Sequence, residues 1–395
     1  MVSTLTDFDV VIVGGGAVGV AAACKLSQQF DRVAIIDNSQ HTAWKKDDAY
    51  GLRVSAINLA SMELLSQIDA WSEVQTMRAF PYRSMYVWEQ GSDTQIDFNA
   101  SDTMHSSLGS IVENQVLLTA LNNAANKNSN ITQFSNNALH ELSAISDSSM
   151  LVELDNGARL TGKLVIGADG QRSKVRECIG VSCLRTHYQQ LGLVCTVNTE
   201  LDHQQTAWQC FTEYGPLALL PLEDKTCSIV WSVGEQKCHE LMALDDAEFN
   251  LQLSNAFENK LGKLTLASDR KSFPLLGAQA TQYIDHRVVL LGDAAHAVHP
   301  LAGLGLNLGL ADVAHLSSLL QASDRPLGSE RVLRQYERAR KSENVLMQRS
   351  LEMIDSLFRE ERKLVKQIRS VGVNMTNKAL PLKLLFMRQA LGVPL

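Results

Sequence analysis

The run Asp9-Val-Val-Ile-Val13, followed by Gly14-Gly-Gly16-Ala-Val-Gly19 and the alanine-rich Val20–Leu26, constrains this chain most. A short β-branched run reads as a buried strand, the alanine-rich stretch as a helix, and the glycines as the turn between them. Gly14 permits the tight turn, Gly16 leaves no side chain in the path of a pyrophosphate, and Gly19 lets the helix pack closely on the strand. Ala17 and Val18 open the helix, whose N-terminus supplies amide donors and positive dipole. A glycine turn alone fits any βαβ unit. Arg32-Val-Ala-Ile-Ile-Asp37 adds a second strand ending in an acid 18 residues after Gly19, where an acceptor for a ribose hydroxyl is expected. Together they predict a dinucleotide site, without separating FAD from NAD.

Composition sets the remaining bounds. With 395 residues, 45% of them apolar, the chain fits two or three domains with a large core. A formal charge of −7 argues against nucleic-acid binding, which depends on basic groups meeting phosphates. The charge is uneven: Arg359–Arg388 holds eight basic residues against Glu360 and Glu361, a net +6 that leaves −13 for the rest. Seven scattered cysteines without a C-x-x-C pair suggest neither a disulfide framework nor a zinc site, and point to a reducing compartment. The start, Met-Val-Ser-Thr, lacks the basic region of a signal peptide, so a cytoplasmic location is expected. Val10–Cys24 is uncharged but shorter than the ~20 residues of a membrane span.

Two later segments repeat the logic of the opening. Leu160–Ile166 reads as a strand ending in Gly167-Ala-Asp169-Gly170, followed by Gln171-Arg-Ser-Lys-Val-Arg176. Arg287–Leu291 is another strand, delivering Gly292-Asp293 and then a glycine loop, Leu301-Ala-Gly303-Leu304-Gly305-Leu306-Asn307-Leu-Gly309, into a helix. Such a loop presents amide donors able to hold a carbonyl or an anionic ring oxygen.

These three segments, in this order and spacing, resemble the motifs of group A flavoprotein aromatic hydroxylases. Within that class, Leu52–Asn58, Gly109–Gln115, Ala207-Trp-Gln209, Gly215–Leu222, Ser228–Trp231 and His299–Gly303 resemble the ubiquinone-biosynthesis hydroxylases over essentially the whole chain. Leu52–Asn58, Cys227–Trp231, Asp246–Asn250 and Tyr336–Lys341 are most similar to the 2-polyprenylphenol hydroxylase subgroup.

The resemblance implies FAD as cofactor, NAD(P)H as electron donor and O2 as co-substrate, with ring hydroxylation through a flavin C4a-hydroperoxide. It implies that Gly14–Gly19 meet the FAD pyrophosphate and Asp37 the adenosine ribose. Arg53 and Gln115 would serve the phosphate and ribityl side, Asp293 the ribityl chain, and Pro300 with Gly303–Asn307 the isoalloxazine. Asp169 and Arg176 belong to a motif tied to both FAD and NAD(P)H. No side-chain base is assigned; the chemistry would lie near Pro300 and Leu304.

Two positions depart from the family pattern: Leu304 stands where glutamine is usual, and Gly51 where many relatives carry aspartate. A sister hydroxylase acting elsewhere on the ring, or a FAD-holding scaffold with little turnover, stays open at this point. His296 and His299 are three apart, but no thiolate or carboxylate has ligand spacing to them, so no metal site is assigned. Trp208 and Trp231 read first as core and second as a wall for an aromatic ring.

The expected architecture is α/β: a discontinuous Rossmann-like FAD domain over 1–75, 101–182 and 271–345, a mainly β substrate domain over 76–100 and 183–270, and C-terminal helices over 346–395. The basic end, with the apolar Leu382–Leu391, suggests contact with a membrane surface, with other biosynthetic proteins or with the parent domain. Homo-oligomerisation is left open. The expected substrate is a hydrophobic polyprenylated phenol.

Overall fold

The structure, a computed structural model, describes residues 5–298, 303–360 and 362–392. Alternation of β-branched residues with glycine turns produces a first sheet around Thr6–Val13, whose Val10–Ile12 are fully buried. Its order is Ile284–Asp285, Val288–Leu290, Arg159–Gly167, Thr6–Val13, Val33–Asp37, Ile131–Ser135, with Ser149–Leu154 and Leu139–Ser146 continuing from the Arg159–Gly167 strand. The four central neighbour pairings are parallel. Helices Ala17–Leu26, Asn114–Asn126 and Gly305–Gln321 pack around this sheet.

The opening glycines do what their chemistry requires. Gly14 has φ 114°, and a Cβ there would lie 2.3 Å from the Ala168 carbonyl oxygen. A Cβ on Gly19 would lie 1.9 Å from the Gly14 oxygen, so strand and helix meet only because both positions are bare.

The second sheet is mainly antiparallel and runs His296–Ala297, Lys271–Ala280, Cys183–Thr199, Thr226–Gly234, Gly215–Pro221, Thr206–Thr212, Ser84–Glu89, Gln95–Asn99. Along its strands alternate residues separate cleanly. Leu193, Cys195, Cys210, Leu217, Leu219, Ile229 and Trp231 enter a closed core against Phe249 and Phe257. The intervening residues face the first sheet's side of the molecule and line a cavity described below. A small third sheet pairs Gly109–Glu113 with Val54–Asn58 on one side and Phe80–Tyr82 on the other.

Three helices end the chain: Glu330–Arg359, Lys363–Lys378 and Leu380–Leu391. The first runs through position 345, the expected edge of the FAD domain, and packs Leu333 and Tyr336 into the core of the first sheet. The basic end is partly neutralised by packing. Arg369 is buried in an ion pair with Glu89, and Lys383 lies 3.3 Å from Asp97 and 3.5 Å from Asp102. Helix Leu380–Leu391 therefore docks on the parent chain, with Met387 and Leu391 against Ala100 and Leu108.

Replacing Gly19 by valine should destabilise the chain by at least about 3 kcal/mol, through overpacking against backbone that has no room to yield. Thermal unfolding of the two proteins checks this; an unchanged midpoint would contradict the close strand–helix contact.

Candidate active site

Two cavities adjoin at Asn114 and Leu118. The first, about 760 Å3, is bounded by Gly15, Asp37, His41 and Gln115 among others. The second, about 690 Å3, is bounded on one side by Gly16–Val18, Arg53, Asp293 and Gly303–Leu306, and on the other by the second sheet. Volumes of this order suit a cofactor together with a small ring.

The turn between them is prepared for an anion. Helix Ala17–Leu26 has no side-chain cap and no acid in its first turn, and its N-cap Gly16 is extended. A Cβ on Gly16 would meet nothing within 4 Å, so the first-turn amides look onto open space. At the far end of the first cavity, the Asp37 carboxylate accepts from Ser39 N at 3.2 Å and sits 2.6 Å from His41 Nε2. His41 escaped the sequence reading, because a histidine in a polar loop has no periodic or spacing signal.

The remaining expected residues divide into those at the cavity and those behind it. Arg53 is exposed to the second cavity, its guanidinium 5.8 Å from the Phe273 ring centre. Asp293 also opens into it; loss of solvation among surrounding protein pushes its carboxyl above the usual range, partly offset by His296, Gln171 and Arg53. Gln115 lies at the first cavity, with Asp37, and donates to Thr42 O at 3.3 Å. Asp169 accepts from the amides of Lys174 and Val175, at 2.7 and 3.0 Å, at the start of a short helix. The buried Arg176 donates to Ala294 O at 2.7 Å and Gln171 O at 2.8 Å, joining the second motif to the third. Asn307 donates to Ala56 O at 2.7 Å and accepts from Asn58 N at 3.0 Å, fastening the glycine loop to the small sheet. Pro300 and His299 lie outside the described residues.

Both departures have a physical setting. The Leu304 side chain packs with Phe211, Val298, Leu351 and Ile354, so an apolar residue seats the loop against the long C-terminal helix. Gly51 N donates to Glu113 Oε1 at 2.6 Å, and a Cβ at 51 would sit 3.4 Å from that oxygen. An aspartate there would confront a buried carboxylate already paired with Arg78.

Beneath the third motif lies a network with no simple sequence signal. Asp312, fully buried, accepts from Gly292 N at 3.0 Å and lies 2.6 Å from His296 Nε2; its other oxygen accepts from Arg340 Nε at 2.7 Å. Burial alone would raise its carboxyl, but His296 and Arg340 outweigh burial and hold it at about 2. His296 thus belongs to a carboxylate pair under the loop. Trp231 is buried core, whereas Trp208 packs on Trp88 and Phe257 and also touches the cavity.

A family pattern described as "FAD binding domain" matches residues 7–349. The chain belongs to this FAD-binding family. It is 34% identical, over 98% of either chain, to the 3-demethoxyubiquinol 3-hydroxylase of Escherichia coli. It is 33% identical to the ubiquinone biosynthesis monooxygenase COQ6, mitochondrial, of Xenopus tropicalis, covering 95% of this chain and 91% of that one. The ubiquinone hydroxylase UbiL of Rhodospirillum rubrum is 34% identical, over 97% of this chain and 89% of the other. Among solved structures, a probable FAD-dependent monooxygenase, PqsL of Pseudomonas aeruginosa, superposes with TM-score 0.78 at 21% identity, covering 94% of this chain and all of that one. The p-nitrophenol 4-monooxygenase PnpA of Pseudomonas putida DLL-E4 gives TM-score 0.75 at 18% identity over 99% and 100%. These two establish the fold.

The chain is therefore a flavin monooxygenase of the ubiquinone-hydroxylase family, using FAD, NAD(P)H and O2. Its uncapped helix, open space at Gly16 and acid at Asp37 fit that cofactor.

Replacing Asp312 by alanine would remove the buried carboxylate that Arg340 and His296 share, leaving Arg340 only the exposed Glu343, at a cost of about 3–5 kcal/mol. Because the native carboxyl sits below its unfolded value of about 4, its contribution is complete above that pH and falls away toward pH 2. Denaturation as a function of pH, for wild type and Asp312→Ala, checks both: the gap should narrow as pH falls through this window.

Proposed function

We propose that the chain hydroxylates the aromatic ring of a polyprenylphenol or benzoquinol intermediate of ubiquinone biosynthesis. One observation carries the reading: the second cavity sets the glycine loop Gly303–Leu306 against a sheet face made of Val194, Ala207, Ala218, Leu220 and Val230. An apolar ring with an apolar tail is the solute such a wall receives best.

In this reading Gly14–Gly19 take the pyrophosphate, Asp37 the ribose, and Arg53 and Asp293 the phosphate and ribityl side. The amides of Gly303, Gly305 and Leu306 face the ring system, and Gln115 works at the adenosine end. Asp169, Arg176 and Asn307 hold the loops in place. Bound FAD supplies transfer of reducing equivalents from NAD(P)H and the activation of O2. The protein's own work is to orient the ring and exclude water, which the Leu304 cluster and the small residues of the sheet face accomplish. The chain divides, in this reading, into the FAD-binding body and the substrate sheet named above, with the C-terminal helices closing one end: Ala390 and Leu391 border the cavity, and Asn58 Nδ2 donates to Ala390 O at 3.0 Å.

A lipid-soluble substrate also supports peripheral membrane contact. Leu346 and Met353 on one C-terminal helix and Val371 and Met375 on the next are exposed by 59 to 67%. Arg362 and Arg388 are exposed nearby in the sequence. No helix among the described residues is long and apolar enough to cross a membrane. We expect the chain to float with anionic vesicles and the Met353→Glu, Met375→Glu variant to float less; equal flotation contradicts this surface.

Complementation of a hydroxylase-deficient strain, with quinone intermediates measured by mass spectrometry, tests the reaction and its ring position. Restored hydroxylation is expected, and Asp293→Ala should bind FAD about tenfold less tightly, by loss of charge-assisted hydrogen bonds. Accumulation of the unhydroxylated intermediate despite a FAD-loaded protein would overturn the reading.

A further inference from the structure

We propose that Gln209 is the substrate-binding residue that holds the phenolic oxygen of the ring, an inference that rests on the substrate class proposed above. Strand alternation decides which side chains face the cavity. In Thr206–Thr212, Trp208 and Cys210 enter the closed core, so Ala207 and Gln209 lie on the cavity face. Gln209 sits in the middle of that face: it is paired with Ala218 on one side and Val87 on the other. Ala218 pairs with Val230, and Val230 with Val194. A polar amide thus stands in a row of small apolar side chains.

That amide is unusual in its satisfaction. Gln209 is 6% exposed, borders the cavity, and has no hydrogen-bond partner among the described residues. Its polar atoms are not sealed in the interior, unlike the Thr196 hydroxyl and the Trp231 indole nitrogen, which are buried without partners. Buried polar groups are normally paired, and an amide in an apolar wall is costly unless something answers it. A free water in the same place would find few further partners on this wall.

The chemistry of the missing partner follows from the side chain. A primary amide carries one acceptor oxygen and two N–H donors and stays neutral. A phenol hydroxyl carries one donor and one acceptor on a flat ring, so one amide can both donate to it and accept from it. The opposite wall is the loop Gly303–Leu306 with Val298, so a ring pinned at its oxygen by Gln209 has its carbons turned toward the flavin side. Ser232, 3% exposed, stands two strands away on Thr226–Gly234, also at the cavity, and suits a second ring oxygen. Neither side chain is ionised, so the role is orientation of the ring and choice of the carbon presented, with no proton abstraction.

The test uses the full-length FAD-loaded protein and two probes, a short-chain 2-prenylphenol and its methyl ether, with binding read from the change in flavin absorbance. Wild type should bind the phenol about tenfold more tightly than the ether, the size of one net hydrogen bond. Gln209→Leu, which roughly keeps the volume, should bind both alike, near the wild-type value for the ether. A variant that keeps the tenfold preference overturns the assignment. So does a wild type with equal affinities, a result that needs no variant and stands even where Gln209→Leu does not fold. A wild type that binds neither probe fails at the substrate class itself, and is distinguished from the other outcomes by the absence of any spectral change.

Discussion

The buried carboxylate of Asp312 is the interaction on which the site depends. It receives the Gly292 amide and lies against His296, on either side of the turn that carries Asp293, and it pairs with Arg340 from the long C-terminal helix. One residue therefore joins the strand end, the loop helix and a helix 28 positions later in the chain. Arg176 reaches the same turn from the second motif, through Ala294 O. A charge so far from water is tolerable only when its partners are fixed, and fixing them holds the loop at one height above the sheet. The second and third glycine motifs are thus held together as one unit.

Above that unit the cavity has two unlike walls. The wall made by the FAD-binding elements carries charge and polarity in Arg53, Ser55, Asn114 and Asp293, while the sheet wall is mostly apolar, with the neutral Gln209 and Ser232 set into it. This division follows from topology: parallel strands deliver their carboxyl ends, turns and helix N-termini to one side, whereas an antiparallel sheet offers a flat face of alternate residues. A polar cofactor and an apolar substrate are sorted by where the two sheets put their side chains. Leu304 stands at the junction and faces apolar neighbours, which accounts for its departure from the usual glutamine.

Much of this was legible in the sequence because it is local. Gly14–Gly19, Asp37, Gly167–Gly170 and Gly292–Gly309 announce themselves by glycine spacing at strand ends, and the alternation in Thr206–Thr212 and Thr226–Gly234 marks a half-buried sheet. The rest depends on contacts distant in the chain. Nothing at Asp312 or Arg340 alone says that they meet, and Lys383, which composition places in a free basic end, is buried against Asp97 and Asp102. Asp169, Arg176 and Asn307 brace backbone, and Gln115 lies at the Asp37 end of the groove, contacts that no local pattern announces. A motif marks a neighbourhood, while the fold decides which of its side chains reach the cavity.

The proposed arrangement sets a phenol ring between the Gly303–Leu306 loop and the sheet face, close enough to the flavin to receive an oxygen atom. It is tested most directly by turnover under isotopically labelled dioxygen with NAD(P)H and a polyprenylphenol, followed by mass spectrometry of the product. One labelled oxygen should appear on the aromatic ring, with NAD(P)H consumption rising when the phenol is added. Consumption that ends wholly as hydrogen peroxide, with the phenol recovered unlabelled, would contradict it.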